Sequence, residues 1–296
     1  MMGRRRSSAE TSHMRGTHSL RPSKSLGQNF LADGNVTKKI VAAAEINGDD
    51  LVIEIGAGLG ALTSAIAEEA ARVVAIELDR RLIPALRENV SEYGNVSVVN
   101  ADILKTDIQA MAEEATAYST AGLTVKILGN LPYYITTSII SKLLEEKNPA
   151  SSMTFMTQKE VALRLCAESG SREGGAITAL IRYHCEPKIM FHVSREVFIP
   201  KPNVDSTVIR LDMLKEKPVS PISEALFFAV IKAGFGQRRK TLRNALSGLG
   251  GLSKEDVGLA LGRAGVIADR RAETLSLQEF SAISDAISSM TSGAAE

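Results

Sequence analysis

Leu51-Val52-Ile53-Glu54-Ile55-Gly56-Ala57-Gly58-Leu59-Gly60 sets a short apolar, β-branched run directly before a glycine-rich turn. The pattern predicts a buried strand over 51–55 and a helix over Leu62–Ala70. Glycines at this junction let the backbone turn sharply and approach a ligand with no Cβ in the way. Arg72–Ile76 reads as the next strand, and Glu77 ends it, 21 residues after Gly56. An acidic side chain placed there accepts hydrogen bonds from ribose hydroxyls. Gly56-x-Gly58-x-x-Ala61 also fits the dinucleotide fingerprint, so the loop alone does not separate NAD from another adenosine ligand.

Strands and helices go on alternating downstream. Asp79–Asn89 reads as helix, Val96–Val99 as a third strand, Val125–Leu128 as a fourth, Thr137–Leu144 as helix and Met153–Thr157 as a further strand. Pro187–Val193 and Asp205–Leu211 add strands suited to antiparallel pairing at one edge. This succession predicts an α/β fold, a mostly parallel sheet with helices on both faces. Upstream, Asn35 is placed to cap an amphipathic helix through Val36, Ile40, Val41 and Ala44. Lys215-Glu216-Lys217-Pro218-Val219-Ser220-Pro221 reads as a linker. Beyond it the apolar spacing is helical, as in Leu226/Val230/Ile231, Leu242/Leu246, Val257/Leu261 and Phe280/Ile283. The expected organisation is a polar, disordered extension over 1–20, a main domain over 21–214 and a small all-helical domain over 215–296.

Composition excludes several classes. With 44% apolar and 4% aromatic residues among 296, the chain is neither fibrous nor largely disordered. No uninterrupted apolar run approaches the roughly 20 residues that span a bilayer. Arg4-Arg5-Arg6 has no apolar segment after it, which argues against a secretory signal. The Arg- and Ser-rich start leaves a mitochondrial presequence as the alternative to a cytoplasmic protein. Cys166 and Cys185 make neither a disulfide framework nor a zinc site, and no metal is expected. Residues 1–30 carry a net +5, 31–214 a net −6 and 215–296 a net +2. An acidic centre with basic ends suits an enzyme that meets a polyanion through its flanks. Solvated surface charge explains the same totals.

Gly129-Asn130-Leu131-Pro132-Tyr133-Tyr134 follows the fourth strand. The turn presents an amide, a backbone carbonyl and an aromatic face at one point. The amide oxygen and the carbonyl two residues on can each accept one N–H of an exocyclic amine, with Tyr133 stacked on the ring as flipped bases are held. Asn100-Ala101-Asp102 closes the third strand. Asp102 can accept the adenine amine of a cofactor there, or serve as an ordinary N-cap. These sites fall at carboxyl ends of successive strands, where open α/β sheets bind ligands. Histidines 13, 18, 184 and 192 lie outside the cluster, whereas a dehydrogenase needs a proton-transfer residue within it. The balance moves to S-adenosylmethionine.

The chain resembles the ribosomal RNA adenine N6,N6-dimethyltransferases of the bacterial KsgA (RsmA) group over roughly residues 21–280. The likeness rests on Gln28-Asn29-Phe30-Leu31, the glycine loop with Glu77 and Asp102, and Asn130-Leu131-Pro132-Tyr133-Tyr134. It extends to Phe198-Ile199-Pro200-Lys201-Pro202-Asn203-Val204-Asp205-Ser206 and to Phe235-Gly236-Gln237-Arg238-Arg239-Lys240-Thr241-Leu242. It implies a Rossmann-like class I S-adenosylmethionine-dependent methyltransferase with a small C-terminal helical domain. The implied reaction is dimethylation of two neighbouring adenosines in a hairpin of small-subunit (16S) rRNA during subunit maturation, by a monomer that touches no membrane.

The resemblance also implies roles. Asn29 and Leu31 close over the cofactor; Gly56 contacts its methionine portion, Glu77 the ribose and Asp102 the adenine, with Gln28, Gly58 and Asn130 also binding it. Asn130 and the carbonyl of Leu131 or Pro132 orient the target amine, at the edge of the cofactor site. Tyr133 and Phe198 sandwich the target base, although Phe198 in an apolar stretch also reads as core. Arg238, Arg239, Lys240 and Arg243, read as a basic helix, contact RNA phosphates. Two departures stand out: Ser138 where the family often has proline, and Arg182-Tyr183-His184 for a more usual Gln-Tyr-Tyr. The rival readings are a resistance-type methylase of large-subunit rRNA and a nonenzymatic assembly or nucleic-acid-binding factor.

Overall fold

Five parallel strands form the centre of the computed structural model, which describes residues 22–23, 26–117, 122–146 and 148–292. The extension expected over 1–20 lies outside the described residues. Two-residue β1 (Phe30–Leu31) and helix α1 (Gly34–Ala43) come first. Then β2 (Asp50–Ile55), α2 (Ala61–Ala67), β3 (Arg72–Glu77), α3 (Ile83–Asn89) and β4 (Val96–Asn100) follow in alternation. The series continues through α4 (Ile108–Thr116), β5 (Thr124–Asn130), α5 (Thr136–Glu145), β6 (Ser152–Gln158), α6 (Lys159–Leu165) and α7 (Ala176–His184). Strands β7 (Cys185–Val193), β8 (Phe198–Ile199) and β9 (Ser206–Met213) precede helices α8 (Glu224–Gly236), α9 (Leu242–Leu246), α10 (Lys254–Arg263) and α11 (Leu277–Ser292).

The main sheet runs β4-β3-β2-β5-β6-β9-β7, with parallel pairing between β2 and β3, β2 and β5, β3 and β4, and β5 and β6. Every residue of β2 is buried, as a strand covered on both faces requires, and this is why it reads as an unbroken apolar run. The edge strand β4 is only partly covered. After β2 the chain builds outward to β3 and β4, then crosses back to β5 on the other side of β2. The switch point between β2 and β5 is where an open α/β sheet receives its ligand. Val52, Leu62, Ile66 and Val73 join Ile40 and Val41 of α1 in the core that supports it.

Three local features differ from the sequence reading. Helix α1 is capped by Asp33, whose carboxylate accepts the N–H of Asn35 at 2.8 Å, rather than by Asn35 itself. Helix α3 starts at Ile83, not Asp79, because the Asp79 carboxylate is occupied by the N–H and guanidinium of Arg81. Arg238–Lys240 form a turn between α8 and α9 instead of a basic helix. Gly236 ends α8, and Thr241 caps α9 in an extended conformation.

Packing divides the chain into two compact units, one of residues up to Lys159 with Met190–Arg210, the other of Glu160–Ile189 with Leu211 onward. The linker at 215–221 does not predict that Glu160–Ile189 groups with the helices. The reason is apolar: Ala179 and Tyr183 of α7 share a core with Phe227, Val230 and Ile231 of α8 and Phe280 and Ile283 of α11. Among the described residues no helix is long and apolar enough to cross a membrane.

Candidate active site

The loop leaving β2 turns through Gly56 at φ 77° and Gly58 at φ 60°, left-handed values that disfavour any side chain. A Cβ on Gly56 would project to 3.5 Å from the Asn130 carbonyl, and one on Gly58 to 3.3 Å from the Phe30 ring. Both glycines therefore leave open a cradle that side chains would fill. Glu77, only 6% exposed, anchors the loop: its carboxylate accepts the N–H of Gly58 at 2.8 Å and of Asp79 at 2.7 Å. Burial pushes its pKa up against those two donors. Each carboxylate oxygen keeps a second lone pair, so hydroxyl donors can still be accepted.

Asp102 is the N-cap of one of its two readings, and it also lines a cavity. One oxygen caps a short 3-10 turn by accepting the Leu104 N–H at 3.0 Å, and the residue lines the same cavity as Glu77 and Asn130. That cavity, about 1250 Å³, is also lined by Gln28, Asn29, Leu31, Gly56, Gly58 and Tyr133. Asn100 helps set its wall by donating to the carbonyls of Glu77 and Leu78, at 2.8 and 3.1 Å.

At the end of β5, Gly129 lies opposite Ile55 in register, and a Cβ there would meet the Ile55 carbonyl at 2.6 Å. Only glycine lets the two strand ends come this close. The next residue donates its side-chain Nδ2 to the Asn29 carbonyl at 3.1 Å. A carbonyl can only accept, so this contact fixes the Asn130 amide with Oδ1 as its remaining acceptor. The Pro132 carbonyl is occupied by the Ile135 N–H and the Thr136 hydroxyl, at 3.2 and 3.0 Å. Among the described residues nothing donates to the Leu131 carbonyl, while the Leu131 N–H reaches Met156 at 3.1 Å. Of the two carbonyls considered for the amine, Leu131 is the one left available. The Tyr133 hydroxyl is pinned by Ser206 at 2.8 Å, and burial raises its pKa.

An arm over residues 26–32 covers the loop. Its strand β1 pairs antiparallel with β8, Leu31 opposite Phe198 and Phe30 opposite Ile199. Phe198 itself departs from expectation: it is 2% exposed, packed with Met156, Val193 and Val208, and is not part of the cavity lining. Its backbone positions the arm while Ile199 and the half-exposed Tyr134 face the cavity. In the other unit, Arg238 donates to the Gly174 carbonyl, and Arg243 to the Lys254 carbonyl beside Glu255. Arg239 and Lys240 are exposed, with no side-chain partner among the described residues. Of the departures noted, Ser138 is exposed on α5. Arg182 ties down the Cys166 and Ala167 carbonyls and pairs with Glu168.

Two acidic residues escaped sequence reasoning. Asp79 is held by Arg81, which, with Gln28, pulls its carboxyl down to about 2. Glu54 is fully buried, and burial pushes it up to about 7 against the Thr63 hydroxyl at 2.5 Å. The spacing Glu77-x-Asp79 was the available signal for the first; the glycine motif itself contained the second.

Residues 19–288 match the family described as ribosomal RNA adenine dimethylase. The chain belongs to this dimethylase family. Among its relatives, a ribosomal RNA small subunit methyltransferase A of Clostridioides difficile (strain 630) is 46% identical over 91% of this chain and 92% of the relative. One of the same name from Alkaliphilus metalliredigens (strain QYMF) is 47% identical over 90% and 92%. The fold is similar to that of the 23S rRNA methyltransferase ErmE, with TM-score 0.65, 26% identity, and coverage of 88% of this chain and all of that one. It is also similar to that of a dimethyladenosine transferase from Plasmodium falciparum, with TM-score 0.68, 22% identity and coverage of 86% and 95%. Rossmann-like class I architecture is thus common to the dimethylase and these structures. Dimethylases of this family use S-adenosylmethionine, and the cradle at Gly56 and Gly58, with acceptors at Glu77 and Asp102, fits a ligand carrying a ribose and an adenine amine.

Proposed function

We propose that the protein dimethylates N6 of two adjacent adenosines in a hairpin near the 3′ end of 16S rRNA, on the small ribosomal subunit, during ribosome biogenesis. The chemistry rests on one observation: Asn130 is oriented by the Asn29 carbonyl so that its Oδ1 accepts, beside an available Leu131 carbonyl. Adenine N6 is a poor nucleophile because its lone pair delocalises into the ring. Accepting both amine hydrogens at Asn130 Oδ1 and Leu131 O localises that pair. When bound, S-adenosylmethionine would supply an electrophilic methyl on a sulfonium, leaving S-adenosylhomocysteine with the C–S electron pair, and the amine loses its proton after transfer. The protein's share is positioning, a large effect when reacting atoms are held in line. Gly56 and Gly58 leave room for the methionine portion, Glu77 accepts from the ribose and Asp102 from the adenine. Tyr133 offers its ring to the target base, with its hydroxyl held by Ser206. The second methylation requires the cavity to take a methyl in place of one N–H.

The choice of subunit is supported by identity of 46–47% to relatives named for the small subunit, against 26% to the 23S enzyme. Arg238, Arg239, Lys240 and Arg243 contact RNA phosphates in this reading, Arg239 and Lys240 with the least competition from the protein. A cytoplasmic monomer is the simplest form for an enzyme that meets one subunit at a time. Transfer of labelled methyl to undermethylated small subunits, with large subunits and naked rRNA alongside, tests the proposal. Label in small-subunit rRNA is expected; label only in large-subunit RNA contradicts it.

A further inference from the structure

We propose that Gln28 and Asp79 are positioning residues for Asn130: they hold the arm so that the Asn29 carbonyl keeps the Asn130 amide turned to accept the target amine. This rests on the amine-binding role given to Asn130 above. A carboxamide has two nearly isosteric orientations, and only one is useful. Turned over, Asn130 would aim donors at the hydrogens of the incoming amine. The contact that decides between them is Nδ2 of Asn130 to the Asn29 carbonyl at 3.1 Å.

That carbonyl belongs to an arm 101 residues away in sequence, and its place depends on how the arm is fastened. Gln28 fastens it with both ends of its side chain: Nε2 donates to Asp79 Oδ2 at 3.0 Å, and Oε1 accepts the Ser23 N–H at 2.7 Å. Asp79 is a firm anchor, buried and gripped by the Arg81 guanidinium through two hydrogen bonds of 2.9 and 2.7 Å. Asn29 stiffens the turn by donating its own Nδ2 to the Gly27 carbonyl at 3.1 Å. Gly27, at φ 60°, rests against the ring of Tyr134, where a Cβ would come within 3.2 Å. The arm that covers the cofactor cradle therefore also orients the amide that reads the target base. Gln28 serves the second task through its hydrogen bond to Asp79.

Kinetics and binding of Gln28→Ala and Asp79→Asn test this. With S-adenosylmethionine held at saturation for each variant, as calorimetry sets it, kcat of Gln28→Ala on small subunits should fall about tenfold, as loss of a hydrogen bond to a charged group warrants. Asp79→Asn retains an acceptor for Gln28 and should lose less. In an Asn130→Ala background, Gln28→Ala should cost nothing further. Weakened cofactor affinity with unchanged kcat at saturation would overturn the inference, and so would an equal loss of kcat with and without Asn130. The Asn130 side-chain amide resonance gives a reading that needs no substrate. It should resist hydrogen exchange in the wild type and lose that protection in Gln28→Ala; equal protection in both overturns the inference. A wild-type enzyme that transfers no methyl to either subunit would instead contradict the proposed reaction.

Discussion

The carboxylate of Glu77 accepts the main-chain N–H of Gly58 at 2.8 Å, so the residue that ends one central strand holds up the loop that leaves its neighbour. The Gly58 turn is left-handed and has no side chain of its own to fix it. Its shape is borrowed from Glu77. One residue thus shapes the cradle and offers the ribose an acceptor.

Glu77→Ala should weaken S-adenosylmethionine binding by about ten- to a hundredfold, because both the acceptor and the brace on the loop are lost. Titration calorimetry measures this directly. An unchanged affinity would remove Glu77 from the cofactor site.

Asn130→Ala should separate binding from turnover. Cofactor affinity should stay near wild type while kcat falls by about a hundredfold or more, the usual cost of deleting one group aimed at a reacting centre. Equal losses in affinity and turnover would contradict the role given to its Oδ1.

Gly129→Ala places a methyl 2.6 Å from the Ile55 carbonyl, between β2 and β5. Neither strand end can yield without opening the sheet at its switch point. A loss of about 2–3 kcal/mol is expected from such overpacking, read as a lower urea midpoint. A midpoint equal to wild type would show that the strand ends can part freely.

Glu54 makes stability depend on pH. Its carboxyl ordinarily titrates near 4.5 and is pushed up to about 7 by burial in the folded protein. Between those values the folded state holds a proton that the unfolded state has released, so stability falls as pH rises through that window. Glu54→Gln keeps an acceptor for the Thr63 hydroxyl and should flatten the fall. Denaturant unfolding at pH 5 and pH 8 checks it; parallel pH dependence in both proteins would mean that Glu54 does not titrate there.

Replacing Arg238, Arg239 and Lys240 together with Ala should weaken RNA binding and reduce the steepness of its salt dependence by about two to three phosphate contacts. An unaltered slope would mean that the turn between α8 and α9 faces solvent in the complex.

The parallel core was legible because its strands are short, β-branched and buried on both faces; β2, β3 and β5 begin and end within two residues of their apolar runs. Glu77, Asp102 and Asn130 were legible because strand ends at a switch point collect ligand-binding residues. The pairing of β1 with β8 was not: two residues carry no periodicity, and Phe30–Leu31 meets Phe198–Ile199 only through the fold. Phe198 reads equally well as a base-stacking ring or a core residue, and its packing against Met156 and Val208 makes it core here. Arg238-Arg239-Lys240 has good helix formers, but Gly236 before it and Thr241 after it impose a turn that residue preferences alone do not reveal. Asp79 reads as the first residue of a helix until Arg81 and Gln28 are seen to occupy it.

The central claim is the reaction itself. Undermethylated small subunits incubated with the enzyme and S-adenosylmethionine, their rRNA then digested to nucleosides and analysed by mass spectrometry, test it most directly. The account predicts two N6,N6-dimethyladenosines per subunit, both from one hairpin near the 3′ end of 16S rRNA, formed far more slowly with Asn130→Ala. Dimethyladenosine absent from small-subunit rRNA, or formed only when large subunits are supplied, would contradict it.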